Sequence, residues 1–197
     1  MDVTMNPTST PEQRPHSRRR GRWQLILLLM VALGPMLLAT AMYKWRFWVP
    51  DSRNYHGVLV GGSENRAALG VDAGDEARWQ LLVTAPEGCA KACQELVYLA
   101  RQINIGLARD ATRASHALAS SETLPVDFAE LIERDYPQLQ RYSLDRQQYD
   151  SGDAADSAAH LWIVDPHGNL VLRYDSGVNG KDVLIDLRLL LKLSNIG

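Results

Sequence analysis

Cysteine is almost absent from this sequence: Cys89 and Cys93 are the only two in 197 residues. That scarcity excludes a structural zinc site made of cysteines, which takes four ligands. An excess of charge of one sign is missing too. The 21 Lys and Arg against 23 Asp and Glu leave a formal net charge of −2, so there is no electrostatic footprint for nucleic acid. After residue 50 there is no internal repeat and no low-complexity tract. No phosphate-binding loop, nucleophilic-serine motif or metalloprotease pattern occurs. The apolar content of 46% is that of an ordinary globular fold, but it is unevenly spread.

Residues 1–22 are polar and basic, with Arg14, Arg18, Arg19, Arg20 and Arg22 among three prolines. Nothing there can bury a core, and the segment reads as a disordered tail. From Leu25 to Tyr43 no side chain is charged, a length sufficient to cross about 30 Å of hydrocarbon as a helix. Trp23 stands before this run and Tyr43, Trp45 and Trp48 after it, as interfacial aromatics do. Residues 23–48 therefore read as a transmembrane anchor with its flanks, with Pro35 as a candidate kink. The preceding arginines place the N-terminus in the cytoplasm and residues 50–197 outside, on the periplasmic side of the inner membrane. A cleaved signal peptide is the competing reading, because "ATA" at 39–41 has the small residues of a cleavage site. Both readings export the remaining domain to a compartment where disulfides persist.

Within residues 50–197, "NYHGVLVGG" (54–62) reads as a short edge strand. "RWQLLVTAP" (78–86), apolar on both faces, reads as a central strand covered on both sides. Pro86 and Gly88 break it. A helix then starts inside the cysteine motif, with Cys93, Leu96, Val97, Ala100, Ile103 and Leu107 on one stripe. Residues 111–120 are expected to return as a strand and 124–137 to form a helix. "HLWIVDPHGNLVLRYDSG" is two apolar runs around a turn, a β-hairpin. Residues 179–197 close the chain as a helix. This order predicts an α/β thioredoxin-like domain, in which strand, cysteine-bearing helix and strand form a parallel βαβ unit.

That placement puts Cys89 on the loop leaving the strand and Cys93 in the first helical turn, where unpaired N–H groups and the helix dipole favour thiolate. Lys91 adds a cation between them. A thiolate is both the nucleophile of disulfide exchange and a ligand for soft metals, so placement alone does not choose between these roles. The third reading, a purely structural disulfide, closes so short a loop that its entropic benefit is small.

"WQLLVTAPEGCAKACQELVYLARQI", the hairpin with Asp165, Pro166 and Gly168, and the preceding anchor together resemble the Sco/SenC family. Those are membrane-anchored, thioredoxin-like proteins that assist copper-site assembly in cytochrome c oxidase. The resemblance implies an accessory factor whose Cys89 and Cys93 act on thiols or hold Cu(I), with an oxidase subunit or another assembly factor as partner. It also implies a histidine eight residues before Asp165, where this chain has Ser157. His160 is the one nearby substitute as a metal ligand, or it packs beside the motif and tunes thiolate acidity. Two further departures are Ala90 and Gln94, where the family has prolines. Two other functions stay open: a general exported thiol–disulfide oxidoreductase, and a non-enzymatic scaffold with a degenerate thioredoxin-like domain. The remaining histidines, His16, His56, His116 and His167, have no carboxylate or cysteine neighbour that suggests catalysis, and His16 and His167 are expected in solvent.

Overall fold

The computed structural model describes residues 17–45, 55–60, 64–72, 74, 76–152 and 156–194. The chain divides into two units, Met1–Ser52 and Arg53–Gly197. The first unit holds one helix, α1 (Ser17–Trp45), which runs through Pro35. Its stretch Gly21–Met42 is long and apolar enough to cross a membrane, which suits an anchor or a signal sequence. The basic residues 17–22, expected as part of a disordered tail, form the first turns of this helix. Residues 1–16 and Trp48 lie outside the described residues.

The second unit is an α/β domain around a six-stranded sheet of order β1-β6-β5-β2-β3-β4. The strands are β1 (Val58–Leu59), β2 (Trp79–Ala85), β3 (Ala114–Ser120), β4 (Gln140–Ser143), β5 (His160–Val164) and β6 (Leu170–Tyr174). The helices are α2 (Lys91–Gly106), α3 (Val126–Asp135), α4 (Arg146–Asp150) and α5 (Gly180–Leu193). β2 and β3 pair in parallel across α2, with Leu81 beside His116. β5 lies antiparallel to β2 on its other side, with Thr84 opposite His160.

Every residue of β2 is buried because both faces of the sheet are covered. On one face Leu81, Val83, Ala85, Leu161 and Ile163 pack with Leu96, Val97 and Ala100 of α2, and Val183, Leu187 and Leu191 of α5. On the other, Leu82, Trp162 and Val164 pack with Leu69, Val71, Leu144 and Tyr149. Thr84 satisfies the polar atoms buried there: its Oγ1 accepts from Trp162 Nε1 at 2.9 Å and lies 3.3 Å from the Tyr149 hydroxyl. Two elements had no counterpart in the sequence reading, β4 and α4. α4 is capped by Asp145, whose carboxylate accepts from the Gln147 and Gln148 amides. The strand expected at 111–120 begins at Ala114, after a 3-10 turn over Ala108–Arg113. The hairpin turn is held by Asp165 Oδ1, which accepts from His167 N and Asn169 N, and Gly168 supplies its positive φ of 87°.

Candidate functional site: a disulfide at the head of α2

Cys89 and Cys93 form a disulfide, with their Cα atoms 5.0 Å apart. β2 delivers them. The chain leaves Ala85, turns at Pro86 and Glu87, and passes Gly88 at a φ of 81°, a left-handed conformation that favours glycine. A Cβ at Gly88 would also lie 2.8 Å from Glu122 Oε2, so a side chain there would have to displace that exposed carboxylate. α2 then begins at Lys91 with Ala90 as its N-cap, and no side chain caps it. The first N–H groups of α2 therefore stay without side-chain acceptors beside the two sulfurs, and the positive end of the helix dipole faces the pair. On reduction the helix end works toward thiolate, and the burial of both sulfurs works against it. Lys91 contributes less than its position suggests: it is exposed and its Nζ lies 3.9 Å from Glu95 Oε1, a surface pair of little strength.

Both cysteines are buried, at 2% and 1% exposure, within the α2-side core. Four side chains that the sequence reading did not single out in this role fix the surrounding loop. The Pro86 carbonyl accepts from Ser121 Oγ at 2.6 Å and from Arg146 Nη1 at 3.1 Å. Arg146 also reaches Glu87 Oε1 at 3.2 Å. Gln94, at one of the positions where the family of resemblance has proline, donates from Nε2 to the Cys89 carbonyl at 3.2 Å. Only β4 and α4 bring Arg146 back to this loop, 60 residues after Pro86, so no local pattern could announce it.

The structure does not bring His160 to the cysteines. His160 shares its face of β5 with Trp162, whose ring it meets edge-on at 5.9 Å, and Trp162 belongs to the core on the face away from the disulfide. Ala159, the residue before it, packs with the cysteine-bearing core instead. The His160 ring is 2% exposed and stands between two carboxylates. Its Nε2 is 2.7 Å from Asp156 Oδ1 and its Nδ1 is 3.1 Å from Asp175 Oδ1, the latter without hydrogen-bond alignment. Burial works against ionisation of Asp156, but the Ala158 amide, His160 and Arg173 outweigh it and hold that carboxyl below its ordinary value.

This donor set does not fit a resident copper held by two thiolates and an imidazole. Once reduced the pair supplies two thiolates, but Ser157 offers no imidazole and His160 is engaged on the opposite face. Among the described residues no group of three or more His, Cys, Asp or Glu is arranged to hold a metal.

The remaining histidines are now placed. His167 is exposed at the hairpin tip, and His16 lies outside the described residues. His56 does have a carboxylate partner, contrary to the sequence reading: its Nδ1 is 2.9 Å from Asp186 Oδ1 of α5. Asp186 is fully buried and also accepts from the His56 and Gly57 amides and from the Tyr174 hydroxyl, tying β1 to α5. His116 is buried on β3.

Residues 79–194 match the family described as transmembrane-like, thioredoxin-like, C-terminal domain. The chain belongs to this family. Residues 15–46 match its companion, the transmembrane-like N-terminal domain, so the thioredoxin-like domain and the apolar helix are both family features. No protein of curated function matches the chain. Among solved structures it is similar to Arabidopsis thaliana ScoI with copper bound, at 11% identity and a TM-score of 0.47 over 61% of this chain and 88% of that one. It is similar to apo Sco1 from Thermus thermophilus, at 15% identity and a TM-score of 0.47 over 71% and 99%. A third likeness is to a putative thiol:disulfide interchange protein DsbE from Chlorobium tepidum, at 10% identity and a TM-score of 0.41 over 61% and 83%.

Proposed function

We propose that this protein is a membrane-anchored thiol–disulfide factor whose Cys89–Cys93 pair cycles between disulfide and dithiol during cytochrome c oxidase assembly. The observation that carries the thiol chemistry is the disulfide at the uncapped start of α2. The oxidase, as opposed to exported proteins in general, rests on the resemblance of the cysteine motif, hairpin and anchor to the Sco/SenC family. α1 serves as the anchor. The arginines before its apolar stretch keep the N-terminus in the cytoplasm, which leaves the thioredoxin-like domain on the periplasmic side of the inner membrane.

Cys89 lies outside the helix and is the nucleophile; Cys93, in the first turn, is the resolving thiol. The Cys89 thiolate attacks a partner disulfide and releases one partner thiolate. The Cys93 thiolate then attacks the Cys89 sulfur and releases the second. Two electrons pass to the partner, which leaves as a dithiol, and an exported dithiol reductant restores the pair. Because both cysteines are buried, the loop held by Ser121 and Arg146 has to yield for the partner to reach Cys89. Copper enters this reading only as Cu(I) cargo on the reduced pair, since two thiolates satisfy that soft ion; Cu(II) is expected to bind weakly or not at all.

The test is a Cys93→Ser variant of the full chain expressed in its own membrane. A mixed disulfide through Cys89 with an oxidase subunit or an assembly factor is expected. Mixed disulfides with many unrelated exported proteins would instead identify a general oxidoreductase. If a Cys89→Ser, Cys93→Ser double variant sustained full oxidase activity, the protein would be a scaffold and the thiol cycle would be wrong.

A further inference from the structure

α5 turns Val183, Leu187 and Leu191 into the core and leaves a second stripe facing outward. Lys181, Ile185, Arg188 and Lys192 recur every three or four residues along one side of the helix, and all four are exposed. Three cations and one isoleucine thus share a face with no carboxylate in it. No ion-pair partner lies within 4.0 Å of Lys181, Arg188 or Lys192 among the described residues. Arg188 donates from Nη2 to the Gly106 carbonyl at 2.7 Å, which steadies its side chain on the surface and leaves its charge uncompensated. Of the acidic residues of α5, Asp182 stands at the edge of the stripe and faces His56 at 4.0 Å, and Asp186 is buried on the inner side.

Other helical cations of this domain are matched: Lys91 with Glu95, Arg134 with Asp135, and Arg146 with Asp150. Mixed signs of that kind are what a merely solvated helix face carries. In a chain of net charge −2, a stripe of cations alone departs from the pattern. A basic helix face that also exposes an apolar side chain suits the surface of an anionic bilayer. There the charges meet lipid phosphates, and the apolar group reaches the acyl boundary.

The path of the polypeptide supplies a second, independent reason. Residues 43–54 join the apolar stretch of α1 to Tyr55, a link of about 45 Å at full extension. The incoming chain is fastened to α5, because the His56 and Gly57 amides both donate to the Asp186 carboxylate. So short a tether keeps the stripe at high effective concentration over lipid, where a contact of modest intrinsic affinity is well populated.

We propose that the outward stripe of α5 rests on the anionic headgroups of the membrane that holds α1. Lys181, Arg188 and Lys192 meet lipid phosphates, and Ile185 reaches the acyl boundary. The inference takes the anchor from the proposed function and is independent of the thiol cycle. Each basic residue near an anionic surface is worth about fivefold in binding, so the three together are worth about a hundredfold.

The experiment places the full chain, with methyl-labelled isoleucine and valine, in lipid nanodiscs that carry a headgroup spin label. The discs are phosphatidylcholine alone or an equal mixture with phosphatidylglycerol. In the mixed discs the Ile185 methyl resonances are expected to broaden, while those of Val126, exposed on α3, stay sharp. Neutral discs, or mixed discs at high salt, should leave Ile185 sharp. Lys181→Gln with Lys192→Gln should lower the bound-to-free ratio about 25-fold, and adding Arg188→Gln should remove the broadening. Should the triple variant fail to fold, the double variant and the salt dependence decide. Ile185 sharp in the mixed discs overturns the proposal while the anchor stands, and leaves an acidic protein as the stripe's occupant. Equal broadening in neutral discs, in the double variant or at Val126 overturns it as well. A chain that does not enter the discs at all refutes the anchor and the proposal with it.

Discussion

Reducing the Cys89–Cys93 bond should leave the domain folded, and the size of the effect follows from the structure. The bond spans a sequence separation of only 4. For so short a loop, the chain entropy removed from the unfolded state is worth about 2 kcal/mol. The two thiols released stay in the α2-side core at 2% and 1% exposure, where a free cysteine behaves as a small hydrophobe, so reduction opens no cavity. Against a domain stability of roughly 5–15 kcal/mol, that loss is tolerable. It corresponds to a fall in melting temperature of about 4–8 °C for a domain of this size. The measurement is a thermal melt of the full chain in detergent, oxidised and reduced, followed by near-UV circular dichroism of Trp79 and Trp162. Both are buried in the domain, so their signal reports its packing. Alkylation after reduction counts the thiols. If reduction abolished the near-UV signal at 25 °C, or cost more than about 5 kcal/mol, the pair would be a structural staple. A redox cycle that unfolds its own carrier at each turn would then be untenable.

Three further outcomes are expected. His160→Ala should destabilise the domain by about 2–4 kcal/mol, from the lost packing of a buried ring on Trp162; Asp156, half-exposed and still accepting from the Ala158 amide, adds little. The substitution should leave the Cys89–Cys93 potential and Cu(I) binding unchanged, and a potential displaced by more than about 30 mV in glutathione equilibration would mean that the ring acts on the thiols after all. Glu76 is held down to about 2, first by Arg78 and then by Gln140 against the opposing effect of its burial. Its contribution is therefore complete above its ordinary value of 4.5 and disappears as pH falls from there toward 2. Because Arg78 is half-exposed, the contribution is about 1–2 kcal/mol, and urea melts of Glu76→Gln and the unaltered chain should converge at the acid end. Asp186→Asn should release β1 from α5, seen as faster exchange of the Val58 and Leu59 amides. The hydrogen bond to Asp186 raises the His56 pKa, so the stabilisation from this contact is full below the ordinary histidine value of 6.5 and declines as pH rises through the raised one.

The local elements and the path between them are legible in the order and spacing of neighbouring residues. Cys93, Leu96, Val97, Ala100 and Ile103 recur at helical spacing and are the buried stripe of α2. Asp165, Pro166 and Gly168 define the turn between β5 and β6, and the two apolar faces of residues 79–85 mark a strand covered on both sides. A strand, a helix and a strand in that order give the parallel pairing of β2 with β3 through the handedness of the crossover. These follow from neighbouring residues, whose periodicity is a property of the chain before it folds.

Other features were decided only in three dimensions. His160 begins a strand whose five residues are all buried, so alternation has no polar and apolar contrast by which to assign a face. The register with β2 and the core behind Trp162 assign it, and they turn the ring away from the sulfurs. β4 alternates between half-buried and exposed positions in only four residues, too short and too polar to announce a strand, yet it and α4 carry Arg146 to the cysteine loop. His56 and Asp186 meet across 130 residues, because a buried carboxylate takes whichever donors the sheet order brings to it. Spacing along the chain fixes which side chains share a strand or a helical stripe. Which stripe meets which, and whose charges then face one another, depends on register and crossover, and those exist only once the sheet has formed.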